Sequence, residues 1–323
     1  MVRKYYLLFS LILVSFLMLT ACAQTEPTPT VIPQPLSYTV TPDTSKDSQP
    51  NQNTEITQNN QINQNLPETN NALAKLNSIL WMQTSAEFRM TAIQSYALAS
   101  VMLDRGLEDA NWTAAVEQIG DYSNLPPAII MDVDETVLDN SAYQARLVRA
   151  GTSWDINIWN EWVLESKAPA IPGVVEFLQY AQSKGVTVFY MTNRSHELEQ
   201  ATRENLIDLG CPMEDELDTL LTHGEQENWV TDKTNRRSLL AEQYRIILLI
   251  GDDPNDFVAG TKDGNPTSRN EVFSEYQAYW GEKWILIPNP IYGGWEAALY
   301  DFNYGLSAEE KFDLKLEWLD PVD

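Results

Sequence analysis

Two aspartates two residues apart stand where an apolar run opens into Asp132-Val133-Asp134-Glu135-Thr136. At such a strand end both carboxylates project to similar positions at the edge of a sheet. One can attack a phosphorus atom, while the other protonates the leaving oxygen and then activates the water that clears the intermediate. A helix cap after a strand uses the same residue types, so the pair alone leaves both readings open. Thr192-Asn193-Arg194 follows a second apolar run. A hydroxyl followed by backbone amides at a helix N-terminus suits phosphate oxygens, and Thr192 would serve equally as a simple N-cap. Lys233, in Thr231-Asp232-Lys233, could neutralise a phosphoryl group and an attacking carboxylate, or lie on the surface. Gly251-Asp252-Asp253-Pro254-Asn255-Asp256 closes the last central run. Its acids, with the first pair nearby, offer oxygen ligands to a hard cation such as Mg²⁺, or form only a turn.

The elements that must position these groups alternate along the chain. Apolar runs from Ala128 to Val133, Val186 to Met191, Leu220 to Thr222, Ile246 to Ile250 and Trp284 to Ile287 read as buried strands. Between them, helices are expected from Val174 to Lys184, stopped by Gly185, from Glu197 to Leu209, stopped by Gly210, and from Thr234 to Gln243. Such alternation predicts an α/β fold with a parallel sheet covered on both faces, whose ligands bind beyond the carboxyl ends of the strands. Upstream, Thr84-Ser85-Ala86-Glu87 reads as a capping box, and Phe88, Ala92, Tyr96, Ala99 and Leu103 recur at helical spacing as core or subunit contact. Pro126-Pro127 should close that helical region. The N-terminal helices with Trp81 and the aromatic segment from Tyr276 to Trp284 offer a surface for a homodimer.

Composition narrows the partners. Among 323 residues, 46 acidic against 21 basic side chains give a formal charge of -25. That field disfavours nucleic acid duplexes and anionic membrane surfaces. It would also repel a phosphate-bearing substrate, so a site for one needs local positive charge or a metal. Two histidines and two cysteines leave little from which to build a zinc cluster. Neither His196 nor His223 sits in the Arg-His-Gly motif of a histidine-nucleophile phosphatase. At the start, Arg3 and Lys4 precede an uncharged apolar run, then Leu19-Thr20-Ala21-Cys22. These are the marks of a signal peptide over 1–21; an uncleaved membrane anchor is the other reading, with the run short for a full span. The cysteine at the cleavage point resembles the lipobox of bacterial lipoproteins, which implies lipid on Cys22 and an extracytoplasmic, membrane-anchored protein. Cys211 is then left without a partner, and no internal disulfide is expected. Residues 22–71, rich in Gln, Asn, Thr, Pro and Ser, read as a flexible tether before a domain over 72–323.

In order, Asp132-x-Asp134, Thr192-Asn193, Lys233 and Gly251-Asp252 with Asp256 resemble the haloacid dehalogenase superfamily. Within it the chain is similar to the class C acid phosphatases, bacterial surface lipoproteins that include 5′-nucleotidases. Supporting segments are Leu80 to Glu87, Asp132 to Asn140, Trp159 to Val163 and Pro288 to Glu296. The resemblance implies a Rossmann-like core with a smaller helical cap, whose elements would be about 73–125 and 139–170, a Mg²⁺ ion and hydrolysis of small phosphomonoesters. By position, Asp132 would be the nucleophile and Asp134 the general acid/base. Asp132, the backbone carbonyl of Asp134 and Asp252 would hold the metal, with Asp256 supporting it or orienting Lys233. Thr192, Asn193 and Lys233 would hold the phosphate. The nucleotidases grip a base between aromatic rings, which points to Tyr292 and a tryptophan from Trp154 to Trp162. The last motif usually reads Gly-Asp-Asn; here Asp253 adds an acid that could tighten metal binding or change its pH dependence. A non-catalytic lipoprotein that captures nucleotides or metal is the alternative from another class, and it has no need of Asp134.

Overall fold

The computed structural model describes residues 73–322, so the signal region, Cys22 and the tether lie outside the described residues. Five strands, β1 (Pro127–Met131), β2 (Thr187–Ser195), β3 (Leu220–His223), β4 (Arg245–Gly251) and β5 (Trp284–Leu286), form one parallel sheet in the order β3-β2-β1-β4-β5. The helices around it are α1 (Leu76–Thr84), α2 (Ala86–Glu108), α3 (Ser141–Ala150), α4 (Ile156–Leu164), α5 (Val174–Ser183), α6 (Glu199–Asp208), α7 (Thr234–Gln243), α8 (Pro266–Glu275), α9 (Gly294–Ala297) and α10 (Ala308–Glu317). The α/β architecture with a parallel sheet is the one the apolar runs imply.

Continuous apolar strands are what a sheet buried on both faces requires, because alternate residues point to opposite sides. Ile129, Met131, Leu248 and Ile250 join Phe88, Ala99 and Leu103 of α2 and Phe177 and Leu178 of α5 in one core. Ala128, Ile130, Ile246 and Leu249 face the other core, with Leu240 and Ala241 of α7. In β4 the partners Ile246 and Leu248 oppose the consecutive residues Ala128 and Ile129, which leaves Ile247 as the extra residue of a bulge. Trp112 steadies it by donating its indole N–H to the Ile247 carbonyl at 2.8 Å. Gly106 of α2 makes the fit possible, since a Cβ there would lie 2.6 Å from Ile247 Cγ2.

Two local expectations change. Ser85, not Thr84, is the N-cap of α2, accepting from the Phe88 N–H at 3.1 Å; Thr84 still belongs to α1 and donates back to the Leu80 carbonyl at 2.6 Å. The helical region closes at Glu108, well before Pro126-Pro127, and Pro127 opens β1, where its missing N–H breaks no interior ladder bond. Tyr276, Tyr279 and Trp280 pack their rings 4.7–5.1 Å from Trp284, itself fully buried. These partly buried rings pack against this chain's own core. No helix among the described residues is long and apolar enough to cross a membrane.

Strand order reverses between β1 and β4: β2 and β3 step to one side of β1, β4 and β5 to the other. Crevices open beyond the carboxyl ends of strands at such a reversal. Asp132 follows β1 and Asp252 follows β4, so the two acids arrive at one place.

Candidate active site

Asp132 continues the ladder one step past β1, its N–H donating to the Ile250 carbonyl at 2.9 Å. The chain then turns tightly: the Val133 carbonyl accepts from both Val137 and Leu138 N–H at 2.8 Å, and the Glu135 N–H donates to the Leu138 carbonyl at 2.8 Å. The turn forces Glu135, a non-glycine residue, to φ 60°, a left-handed conformation that costs energy and persists only where its surroundings hold it. Three donors hold it. The Asn140 N–H reaches Oε1 at 2.8 Å, while Asn140 Nδ2, at 3.2 Å, and the Tyr292 hydroxyl reach Oε2. From below, the Tyr96 hydroxyl of α2 donates to the Thr136 carbonyl at 2.6 Å.

Asp134 Oδ1 accepts from Arg194 Nη2 at 2.8 Å, Arg194 Nε at 3.0 Å and Asn140 Nδ2 at 2.9 Å, while Thr192 Oγ1 donates to Oδ2 at 3.3 Å. Asn140 is itself fully buried and fixed through its carbonyl by the Trp162 indole N–H at 2.8 Å. Lys233, at the N-cap of α7, bonds Asp132 Oδ1 and, at 2.7 Å, Asp256 Oδ1. The other Asp256 oxygen accepts from the Asp252 and Asp253 N–H groups at 3.1 and 3.0 Å. Asp252 is oriented by Asn289 Nδ2 at 2.8 Å.

One oxygen from each of Asp132, Asp252 and Asp256 lies within 4.8 Å of the others. Burial pushes the Asp132 carboxyl up to about 7, against the pull of Lys233 and with the push of Asp256 and Asp134. Burial, then Asp132 and Asp256, hold Asp252 well above the usual carboxylate range. Buried carboxylates that cannot all ionise beside one ammonium group call for another positive charge. The donors are hard oxygens, so the set fits a divalent cation such as Mg²⁺. Asp256 has both oxygens engaged by Lys233 and backbone amides, whereas Asp132 and Asp252 each keep acceptor capacity.

Two expectations are corrected here. Thr192-Asn193-Arg194 does not sit at a helix N-terminus: β2 runs on to Ser195, which pairs with His223 of β3. Fully buried Arg236 supports the extension, donating to the Thr192 carbonyl at 2.6 Å and to Asn193 Oδ1 at 2.8 Å. Nor does Asp253 join the carboxylate cluster. Its side chain caps the turn through the Asn255 N–H at 3.0 Å and faces the Gly294 N–H at 2.7 Å and Arg269 at 3.3 Å.

Tyr292, Trp154 and Trp159 line the same cavity as Asp132, Asp134, Asn193, Lys233 and Asp252, a space of about 790 Å³. Trp162 is buried behind it. Arg194, Asn140 and Asn289 lie inside the sequence motifs without a role that the motifs assign, and Arg236 lies outside them. Asn289, between Pro288 and Pro290, is the one with a local signal, an amide fixed in a turn that extends past a strand.

Gly251 marks how closely these parts fit: a Cβ there would lie 2.2 Å from Asp256 Oδ2 and 2.4 Å from Asp256 Cβ. Gly251→Ala is expected to push Asp256 off its two amides and loosen Lys233. Turnover should fall on the order of 10²-fold, as for misplacement of a positioned group, with secondary structure retained by circular dichroism. Wild-type turnover in the folded variant would show that Asp256 does not depend on this contact.

The description HAD superfamily, subfamily IIIB (acid phosphatase) matches residues 37–295. Two solved structures of the class C acid phosphatase from Bacillus anthracis are similar at TM-scores of 0.69 and 0.68, with 33% and 32% identity, over 78% and 80% of this chain and 99% and 100% of theirs. Acid phosphatase 1 of Solanum lycopersicum is 28% identical over 194 residues, 59% of this chain and 67% of its own length. The stem 28 kDa glycoprotein of Glycine max is 25% identical over 168 residues, and the chain spans only 58% of its length. With most of its length matched by one family and its fold shared with solved members, the chain belongs to the subfamily IIIB acid phosphatases of the HAD superfamily.

Proposed function

We propose that this acid phosphatase hydrolyses small phosphomonoesters through an aspartyl-phosphate on Asp132, with nucleoside 5′-monophosphates among its substrates. The carrying observation is the convergence of Asp132, Asp134, Lys233 and Asp252 on one cavity from the ends of β1 and β4 and the start of α7. An Asp132 oxygen attacks phosphorus, the bond from phosphorus to the ester oxygen breaks, and Asp134 gives the departing oxygen its proton. Asp134 then takes a proton from water as that water attacks phosphorus, which breaks the Asp132 ester and releases inorganic phosphate. Lys233 balances the charge of Asp132 and of the phosphoryl oxygens, and Thr192 and Asn193 orient those oxygens. A divalent cation, Mg²⁺ in this reading, would be held by Asp132, Asp252 and the Asp134 carbonyl, and supplies charge neutralisation to the transferring group. One of the solved relatives, the class C acid phosphatase from Bacillus anthracis, has tungstate bound, a tetrahedral oxyanion like phosphate. Tyr292, pinned through its hydroxyl to Glu135, and Trp154 or Trp159 of the same cavity would take a nucleoside base.

Phosphate release from 5′-AMP and from p-nitrophenyl phosphate, with Mg²⁺ and with EDTA, tests the reading. Metal-dependent release from both is expected, faster from AMP. Folded, Mg²⁺-loaded protein that releases phosphate from neither would replace this reading with a capturing lipoprotein.

A further inference from the structure

Away from its carboxylate centre, the same cavity carries an unusual charge. Lys75, Lys262, Lys311 and Lys315 all line it, in a chain whose acids outnumber its basic residues 46 to 21. Glu296 is the acid that answers them, pairing with Lys315 at 2.6 Å and Lys75 at 3.4 Å. Among the described residues, Lys262 and Lys311 have no carboxylate within ion-pair distance; Lys311 donates to the Tyr304 carbonyl at 3.0 Å. None of the four touches the carboxylate cluster, whose own ammonium is Lys233. On the part of the lining that Lys311 occupies, its ammonium lies 5.4 Å from the Tyr300 ring centre, and Asp301 and Phe302, both non-glycine, turn the chain in consecutive left-handed conformations. Such backbone is retained where the surroundings over-determine it. The family match ends at residue 295, so Lys311 and Lys315 come from beyond it.

We propose that this lysine wall is a second anion subsite, and that the preferred substrates are phosphomonoesters carrying a further phosphate or carboxylate group. The inference rests on the phosphatase reading above. A lone phosphoryl group is met by Lys233, Thr192 and Asn193 and has no use for four more ammonium groups. A second anion would find Lys262 and Lys311 uncommitted to carboxylates, and would meet the Lys75–Glu296–Lys315 triad with an excess of one positive charge. Electrostatic steering of any phosphate is the competing use of such a wall, and it would favour all phosphomonoesters alike.

The test compares initial phosphate release from adenosine 3′,5′-bisphosphate against 5′-AMP, and from fructose 1,6-bisphosphate against fructose 6-phosphate. Wild type and K262Q/K311Q are each measured as the ratio of kcat/KM within a pair. The wild-type ratio should exceed roughly tenfold for at least one pair, the scale of a charge-assisted hydrogen bond, and the double variant should bring it close to unity. Ratios near unity in wild type for both pairs, or a preference that survives the double substitution, overturn the subsite. A variant that slows both members of a pair equally identifies steering and overturns it as well. Absence of turnover with all four compounds would instead be the failure of the phosphatase reading.

Discussion

Asp132→Asn is expected to abolish turnover, by on the order of 10⁴- to 10⁶-fold, the scale on which loss of a catalytic nucleophile is felt. The amide keeps the shape of the carboxyl but cannot form the phosphoester. Its effect on stability should run the other way. Burial holds Asp132 up to about 7 in the folded chain, against about 4 in the unfolded one. Below pH about 4 both states keep the proton. As pH rises through the folded value, the native state must ionise a buried carboxyl that the unfolded chain released earlier, and stability is lost. Melting temperatures of metal-free protein should therefore fall from pH 5 to pH 8 in wild type and fall less in the variant. Mg²⁺ should recover the wild type most at pH 8, where fewer protons compete for the site. Retained turnover in folded Asp132→Asn would move the nucleophile elsewhere; a pH trend shared by both proteins would detach the buried charge from Asp132.

The parts of this site legible in sequence are those that strand ends place by themselves. A run such as Ile246 to Ile250 can only be a buried strand, and whatever acid follows it must emerge at the sheet edge. Asp132 and Asp252 were readable for that reason, and Lys233 because α7 begins where its polar periodicity begins. The helix N-terminus expected at Thr192 is absent because the apolar run stops at Met191, while the strand itself continues on partners that no local pattern reveals: His223 of β3 and the buried Arg236. Long-range side-chain contacts are equally silent. Arg194 meets Asp134 across 60 residues of chain and Asn289 meets Asp252 across 37. Asp253 shows the converse. Its type and position suggest an acid that tightens metal binding, but a side chain at the head of a short turn has backbone amides to satisfy first, and those of Asn255 and Gly294 take it.

Lys233→Met tests the charge balance at the centre of the site. Lys233 is 2% exposed and bonds Asp132 and Asp256 together. Burial alone would lower its pKa, but the two carboxylates outweigh that and hold it above the usual lysine value. Its folded value lies above its unfolded value, so its contribution to stability is fully present at every pH below about 10. Removing one partner of a buried pair leaves the other uncompensated, at a cost of about 3–5 kcal/mol. In the variant the remaining escape is protonation of the carboxylates. The loss of melting temperature should accordingly be smallest near pH 5 and grow toward pH 8, a slope opposite to the relief expected from Asp132→Asn. Mg²⁺ should restore part of the stability by supplying charge, while turnover stays down by about 10²- to 10³-fold, since a cation beside Asp252 cannot reproduce a donor at the position of Nζ. A deficit of the same size at every pH would mean that Lys233 is held for packing rather than charge. The opposed pH slopes of the two variants therefore separate the attacking carboxyl from the group that balances it, without reference to any substrate.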